Sequence, residues 1–372
     1  MSKELLKILS DLVSFKTITP NGEEAIDYVS GILSEIGFCC QKYIFDGVTN
    51  LYAKYGDSDK NICFAGHIDV VPPMDGWKTD PFNLEIIDNV LYGRGVNDMK
   101  GPLVSAIIAI KEFIKTKNPD FSISIMLTSD EEIMGDNGTK KLVEHLLSKN
   151  EKISLCILCE SCSANESGEY IKIGCKGSLN VDLISTGDQC HVVNGKKYKN
   201  HLHRFISFLN EFILKQLDSG NDFFDPSDIE ITSIDTNNNV RNIIPSKITA
   251  KLNVRFNNEW TFESLEKHIK TKLPKNIECI FERFGTPFVG CSQDLINSLS
   301  KTLERINGTI PSIGTSGGNS DAVSIRNITQ VVEIGSKIDG AHKVNESIEV
   351  EELYKLKDIY YAILKDSEHY KY

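Results

Sequence analysis

A short polar cluster follows an apolar, strand-like run in the first third of the chain. Residues 62–66 are apolar or glycine, and His67 and Asp69 come directly after them. Side chains alternate along a strand, so this histidine and this aspartate point the same way. A second polar cluster, Asn97-Asp98, precedes an amphipathic helix. The His67 imidazole can bind a metal while the Asp69 carboxylate orients it from behind.

Four further candidate ligands follow other strand-like runs. Glu131 and Glu132, Glu160 and His342 each come after an apolar run. In an α/β sheet, such positions meet at the edge where ligand crevices form. Two histidines with several carboxylates make a mixed N/O set suited to zinc, cobalt or manganese. One metal needs three or four of these groups, so the surplus predicts two metals that share a bridging carboxylate.

Each group also has a purely structural interpretation. A His-x-Asp pair is often hydrogen-bonded without a metal, and residues 130–132 are acidic, as many helix starts are. In this interpretation Glu160 is simply a residue next to a helix N-cap. The glycine-rich segment 314–321 could hold a phosphate, although it lacks the lysine of nucleotide-binding loops. Only the joint placement of the ligands at successive strand ends favours a metal site.

The elements that must position these residues alternate between helix and strand in the first half of the chain. Apolar residues recur at helical spacing in 21–37, 102–114 and 139–147, and strand-like runs occupy 50–55, 62–64, 122–128 and 153–159. This alternation predicts an α/β domain with a largely parallel sheet.

The pattern changes near Gly174. From there to about residue 290 the predicted order is β-α-β-β-α-β, typical of a small two-layer α+β unit of the ferredoxin-like kind. Helices and a strand of the first pattern then return. We therefore predict a catalytic domain in two parts, residues 1–175 and 291–372, interrupted by an inserted domain, residues 176–290.

Composition excludes several classes of protein. The 372 residues carry a net charge of −11 and no lysine or arginine block, which argues against nucleic-acid binding. No apolar run approaches the roughly 18 residues that cross a bilayer, and the charged N-terminus is no secretory signal. Cys156, Cys159 and Cys162 have the spacing of a cluster ligand run, but the first two lie in an apolar strand-like segment. The other cysteines are scattered, and we expect a cytoplasmic protein.

Five motifs carry a resemblance to a known family. They are GHIDVVP (66–72), LYGRGVNDMKG (91–101), LTSDEE (127–132), SGGNSDA (316–322) and HKVNE (342–346). Together they resemble the M20 family of metallopeptidases and amidohydrolases, and the likeness extends into the predicted inserted domain. Within this family the sequence is most similar to the branch that hydrolyses N-succinyl-L,L-2,6-diaminopimelate in lysine and diaminopimelate biosynthesis.

The resemblance implies an enzyme with two zinc ions, which cobalt can replace. Asp98 would bridge the two ions. His67 and Glu160 would complete one site, and Glu132 and His342 would complete the other. The implied reaction is hydrolysis of an amide without a covalent intermediate.

The resemblance also implies roles for residues that bind no metal. Glu131 would be the general base, and Asp69 would orient the ring of His67. The inserted domain would be a lid and the contact surface of a homodimer. His191 matches a lid histidine that, in the family, reaches the partner's site to stabilise the oxyanion.

Substrate recognition is where the sequence departs from the family. The candidate substrate contacts are Lys176, Ser178, Asn242, Arg255, Gly318 and Asn319. Departures from the family's pattern occur at Cys175, Lys176, Asn194, Asn319, Val323 and Ile338. The branch has two arginines where this chain has Cys175-Lys176. An arginine grips a carboxylate bidentately and a lysine does not, so this change should weaken or redirect binding of a succinyl or α-carboxylate group.

Three hypotheses remain. The first is hydrolysis of N-succinyl-L,L-2,6-diaminopimelate to succinate and L,L-diaminopimelate. The second is a deacylase or peptidase of the same family with a different N-acyl-amino-acid or dipeptide substrate, which the departures favour. The third is a divergent, non-catalytic metal-binding homologue, which the altered lid favours and the intact Glu131 opposes.

Overall fold

The computed structural model describes residues 3–117, 119–133 and 135–372. The chain folds into two compact units. The first comprises Met1–Gly174 and Gly290–Tyr372, and the second comprises Cys175–Val289. The roles predicted for them, a catalytic domain and a lid that also forms a dimer, stay predictions.

Helices and strands alternate along most of the chain. Up to the division between the units they are α1 (Lys3–Ser14), α2 (Glu23–Glu35), β1 (Cys39–Phe45), β2 (Val48–Tyr55), β3 (Asn61–His67), β4 (Glu85–Ile87), β5 (Val90–Tyr92), α3 (Lys100–Thr116), β6 (Ser122–Thr128), α4 (Thr139–Ser148), β7 (Leu155–Leu158), β8 (Tyr170–Lys172) and β9 (Gly174–Cys175). The second unit continues with β10 (Gly177–Thr186), β11 (Cys190–His191), a 3-10 turn (Val192–Asn194), α5 (His201–Ile213), β12 (Asp228–Asp235), β13 (Ile243–Ile244), β14 (Lys247–Phe256), α6 (Phe262–Lys272), β15 (Ile277–Gly285) and β16 (Phe288–Val289). The rest of the first unit contains α7 (Gln293–Asn307), β17 (Ser312–Gly314), α8 (Ala322–Ile325), β18 (Gln330–Glu333), β19 (Ser347–Glu349), α9 (Val350–Asp366) and a 3-10 turn (Ser367–His369).

An eight-stranded mixed sheet forms the centre of the first unit, in the order β1-β2-β6-β3-β7-β18-β8-β17. Every residue of β3 and β6 is buried, which explains why these sequences are apolar without alternation. The two strands are parallel neighbours, and His67 at the end of β3 pairs with Thr128 at the end of β6. On the other side of β3, the parallel strand β7 ends two residues before Glu160. The residues just beyond these three strands therefore meet at one edge of the sheet.

Helices α1, α3 and α9 pack together in the first unit. α3 begins at Lys100, two residues after Asp98, and Pro102 lies in its first turn. Twelve residues of α3 are buried, so this helix fixes the position of the loop that precedes it. None of the helices in the described part of the chain combines the length and apolar character needed to cross a membrane.

The prediction of a largely parallel sheet is right for the central strands, but the sheet as a whole is mixed. The pairs β6–β3, β3–β7, β7–β18 and β8–β17 are parallel, but β1–β2, β2–β6 and β18–β8 are antiparallel. β1 is an edge strand without a buried residue, so its sequence lacks an apolar run. The loop Asp46-Gly47 joins β1 to β2, and both residues have positive φ, as a two-residue hairpin requires. This Asp-Gly pair is the sequence signal that could have predicted the hairpin.

The second unit contains the order β-α-β-β-α-β in β10, α5, β12, β14, α6 and β15. Its four strands lie in the order β12-β14-β10-β15, and every neighbouring pair is antiparallel. Phe205 and Leu209 of α5 and Leu265 of α6 share one buried cluster with inward-facing residues of the sheet, such as Val181. This is the α+β unit that the sequence pattern predicts.

Candidate metal centre

His67 is held by the main chain just beyond β3. Its side chain is 1% exposed, and its Nδ1 lies 2.9 Å from the backbone oxygen of Asp69. A carbonyl oxygen only accepts hydrogen bonds, so Nδ1 carries the proton. In the neutral ring Nε2 is then unprotonated, which is the form that binds a metal. This Nε2 faces the Asp98 carboxylate, with Oδ1 at 3.3 Å.

The Asp69 carboxylate lies behind the imidazole without a hydrogen bond to it. Oδ1 is 3.7 Å from His67 Nδ1 and has no hydrogen-bond partner among the described residues. Oδ2 accepts the backbone N–H of Glu132 at 3.2 Å. The main-chain oxygen of Asp69 therefore orients the ring, and the orienting role of its carboxylate stays a prediction.

The two oxygens of Asp98 face different histidines. Oδ1 lies 3.3 Å from His67 Nε2, and Oδ2 lies 3.2 Å from His342 Nε2. His342 Nε2 is also 2.8 Å from Glu132 Oε2, and His67 Nε2 is 3.8 Å from Glu160 Oε2. The structure thus brings the five predicted ligands together in two groups that share Asp98. Donor atoms of His67, Asp98 and Glu132 lie within 4.8 Å of one another.

Protonation in these two groups is tightly linked. Hydrogen bonds to Asp98 and Glu132 raise the pKa of His342 to about 10. Burial by itself lowers the pKa of His67, but the hydrogen bond to Asp98 and the nearby carboxylates raise it well above its usual value. Burial opposes ionisation of Asp98, yet hydrogen bonds from both histidines hold its pKa below the usual range. Burial, followed by the charge of Asp98, raises the pKa of Glu160 well above its usual value.

These donors fit a divalent cation. Glu160 Oε2 is buried and has no hydrogen-bond partner within the described ranges. Burial raises the pKa of Glu160 and the Asp98 charge acts in the same direction, so a bound cation would favour its ionised form. Imidazole nitrogen and carboxylate oxygen are ligands that suit zinc, cobalt and manganese. The assignment of the five residues as ligands stays a proposal.

Glu131 lines the same cavity as the candidate ligands. Burial raises the pKa of Glu131 to about 8, and repulsion from Asp321, Glu132 and Asp98 acts in the same direction, against the charge of His67. A carboxyl with this pKa can exchange a proton at neutral pH. Its role as general base stays a prediction.

The cavity at this edge of the sheet has a volume of about 440 Å³. Besides the carboxylates, residues 316–319 and Ile338 line it. Gly318 and Asn319, two predicted substrate contacts, are thus beside the candidate ligands. Asn319 Oδ1 is buried and has no hydrogen-bond partner among the residues that the structure describes, so it is an available acceptor. Ile338, one of the departures from the family's pattern, is 48% exposed.

A buried ion pair beneath the glycine-rich turn was missed by the sequence interpretation. Lys172 Nζ donates to Glu333 Oε2 at 2.9 Å and to the Gly318 oxygen at 2.8 Å. Ser320 Oγ donates to Glu333 Oε1 at 2.6 Å, so the pair holds both ends of the turn. Glu333 ends the apolar strand β18, and a carboxylate in such a strand is the signal that was available.

The remaining predicted site residues belong to the second unit. Ser178 and Arg255 are partners across β10 and β14. Lys176 Nζ donates to the Pro226 oxygen at 2.6 Å and to Asp228 Oδ2 at 2.9 Å. His191 Nδ1 accepts the backbone N–H of Val193, and the Asn242 oxygen accepts that of Val192. The roles of these residues toward a substrate stay predictions.

Comparison with known sequences gives a consistent result. The profile of peptidase family M20/M25/M40 matches residues 63–366. A protein of Ehrlichia canis (strain Jake) named succinyl-diaminopimelate desuccinylase is 38% identical over 377 residues, which cover 98% of this chain and 98% of that protein.

Solved structures agree in fold. Aminopeptidase PepT from Bacillus cereus has a TM-score of 0.76 at 20% identity and covers 98% of each chain. A Bacillus subtilis protein described as a dinuclear metal-binding peptidase of family M20 has a TM-score of 0.71 at 13% identity and covers 98% of this chain and 97% of that one. At these identities the likeness shows the fold alone.

Proposed function

Because the chain belongs to peptidase family M20/M25/M40, we propose that it hydrolyses N-succinyl-L,L-2,6-diaminopimelate to succinate and L,L-diaminopimelate. It is a metal-dependent amide hydrolase, so the hypothesis of a non-catalytic homologue is set aside. The observation that carries the choice of substrate is the near full-length identity to the Ehrlichia canis desuccinylase. In this proposal the protein acts in the cytoplasm, in lysine and diaminopimelate biosynthesis.

The cofactor in this proposal is a pair of zinc ions, with cobalt as a substitute. Asp98 would be the shared ligand, because its oxygens face the two histidines at 3.3 and 3.2 Å. His67 with Glu160 and His342 with Glu132 would complete the two sites. Bound zinc would polarise the amide carbonyl and make water a stronger acid.

Glu131 is the proton carrier in this proposal. It would take a proton from the attacking water and then donate it to the leaving amine nitrogen. Its neighbour Glu132 faces His342 at 2.8 Å, so the two adjacent carboxylates have separate partners. Burial and the surrounding carboxylates raise the pKa of Glu131 toward neutral pH, where a carboxyl group can both accept and donate a proton.

In this proposal the residues that recognise the substrate's carboxylates are Ser178, Asn242, Arg255, Gly318 and Asn319. Lys176 is a weaker candidate, because Asp228 already pairs with its ammonium at 2.9 Å. This pairing is the specific observation that favours a second candidate function: hydrolysis of a different N-acyl amino acid or a dipeptide. Such a substrate would need no extra cation for a succinyl carboxylate.

We also propose a homodimer formed through the second unit, with His191 stabilising the oxyanion in the partner's site. The support is the match of His191 to the family's lid histidine and its exposure to solvent. Sedimentation velocity tests the dimer, and His191→Ala tests the role, because loss of an oxyanion donor should lower kcat by roughly 100-fold or more.

A panel of substrates tests the central choice. Zinc-loaded protein should release succinate from N-succinyl-L,L-2,6-diaminopimelate faster than it releases acyl groups from N-acetylornithine, other N-acyl amino acids or dipeptides. Efficient cleavage of another member of the panel, without succinate release, would replace the first function by the second.

A further inference from the structure

Glu346 is a buried carboxylate that contacts the loop carrying Asp98. Its side chain is 1% exposed and lies four residues beyond His342 in the chain. We propose that Glu346 is a positioning residue that sets the Asp98 carboxylate between the two histidines. This inference rests on the proposed metal site. No role toward the metals is assigned to Glu346 by the sequence pattern.

Each side-chain oxygen of Glu346 accepts two hydrogen bonds. Oε2 accepts from Arg94 Nη1 at 2.8 Å and from the Gly95 N–H at 2.9 Å. Oε1 accepts from the N–H groups of Asn97 at 2.9 Å and Asp98 at 3.0 Å. All four donors belong to one five-residue segment, so the carboxylate fixes the path of its backbone. Because its oxygens are fully used, Glu346 acts through Asp98 and is not itself a ligand.

The same residue connects the two segments that supply ligands. The Gly93 N–H donates to the Glu346 backbone oxygen at 3.2 Å, and Asn97 Nδ2 donates to the Lys337 oxygen at 2.8 Å. Directly after Glu346, Ser347 pairs with Tyr92 across β19 and β5. The loop with His342 and the loop with Asp98 are therefore tied together at this point. A shift of the Glu346 side chain would therefore change the position of Asp98 relative to His342.

The charge of Glu346 is balanced locally. Arg94 is also 1% exposed, and its guanidinium lies over the Trp77 ring at 5.2 Å from the ring centre. Its ion pair with Glu346 balances the charge of that carboxylate. The carboxylate thus organises the backbone N–H groups without competing for a cation.

Glu346→Gln tests this inference, because the new amide presents an NH₂ group to one pair of donors. We expect zinc affinity, measured by competition with a chromogenic chelator, to fall 10- to 100-fold, as for other residues that orient metal ligands. In zinc-loaded protein we expect kcat to fall while KM changes little, because substrate contacts stay in place. The matched control is Glu349→Gln, three residues further on, because Glu349 is an exposed carboxylate that pairs with Lys337 at 2.7 Å. This control should keep the zinc affinity and activity of the unchanged protein.

If the single variant does not fold, the double variant Arg94→Met/Glu346→Gln replaces it. The double variant also removes the Arg94 cation, which Glu346→Gln alone would leave buried and unpaired. It should show the same loss of zinc affinity. Zinc affinity within threefold of the unchanged protein, in either variant when folded, would overturn the inference, even if the melting temperature falls. Absence of succinate release by the unchanged protein would contradict the proposed substrate only, because zinc binding is measured without substrate.

Discussion

Replacing Glu131 with glutamine removes the proposed base and leaves the proposed ligands in place. Glutamine has the same shape but cannot take a proton from water. Removal of a positioned general base typically lowers the rate by roughly 10² to 10⁴, or about 3 to 5 kcal/mol in the activation barrier. Glu131 faces no histidine within ion-pair distance among the described residues, whereas Glu132 Oε2 is 2.8 Å from His342. We therefore expect Glu131→Gln to bind zinc normally and Glu132→Gln to lose zinc.

Glu131→Asp gives a second, graded test of the same role. It keeps the carboxylate but shortens the side chain by one methylene. A misplacement of about 1 Å can cost roughly 100-fold in rate, so this variant should be slower than the unchanged protein and faster than Glu131→Gln. In the unchanged protein, kcat/KM should rise with pH through the pKa of Glu131, because only the ionised base is active. Bound cations favour that ionised form, so the rise should lie below pH 8.

The assay is the initial rate of succinate release, with zinc content measured on the same samples. Glu351→Gln serves as a control, since Glu351 is exposed on α9. If Glu131→Gln with full zinc content kept more than a tenth of the rate, Glu131 would not be the base.

The charges in the metal-free protein lead to two further predictions. First, the Glu131 carboxyl ionises near pH 4.5 in the unfolded chain but holds its proton up to about pH 8 in the folded protein. Ionisation of Glu131 therefore opposes folding between these two pH values. Glu131→Gln should therefore raise the melting temperature of metal-free protein more at pH 8 than at pH 5, and an equal shift at both would contradict the assigned cause. Second, zinc binding at pH 7 should release roughly one proton or more, because the pKa values of His342 and Glu131 lie at about 10 and 8 without metal. Calorimetry in buffers of different ionisation enthalpy measures this number, and no proton release would show that these groups are already deprotonated before zinc binds.

The grouping of His67, Glu132 and Glu160 could be predicted from sequence because each comes after an apolar run. β3, β6 and β7 are parallel neighbours, so the residues just beyond their ends meet at one edge of the sheet. His67 and Glu160 are examples, since each stands at or just beyond the end of such a strand.

Other features depend on contacts that periodicity does not encode. Glu346 and Arg94 are 252 residues apart, and neither position shows its partner in the sequence pattern. The ion pair of Lys172 with Glu333 is also long-range, and a carboxylate in the apolar strand β18 does not show which cation it pairs with. β1 was missed because an edge strand without buried residues has no apolar pattern, although its hairpin turn has a readable sequence.

A zinc titration of metal-free protein with N-succinyl-L,L-2,6-diaminopimelate tests the central claim most directly. Two zinc ions that share Asp98 predict succinate release that rises to a plateau at two equivalents of zinc per chain. Asp98→Asn, under the same conditions, should release no measurable succinate. A plateau at one equivalent would contradict the shared carboxylate, and absence of succinate at any zinc content would contradict the proposed reaction.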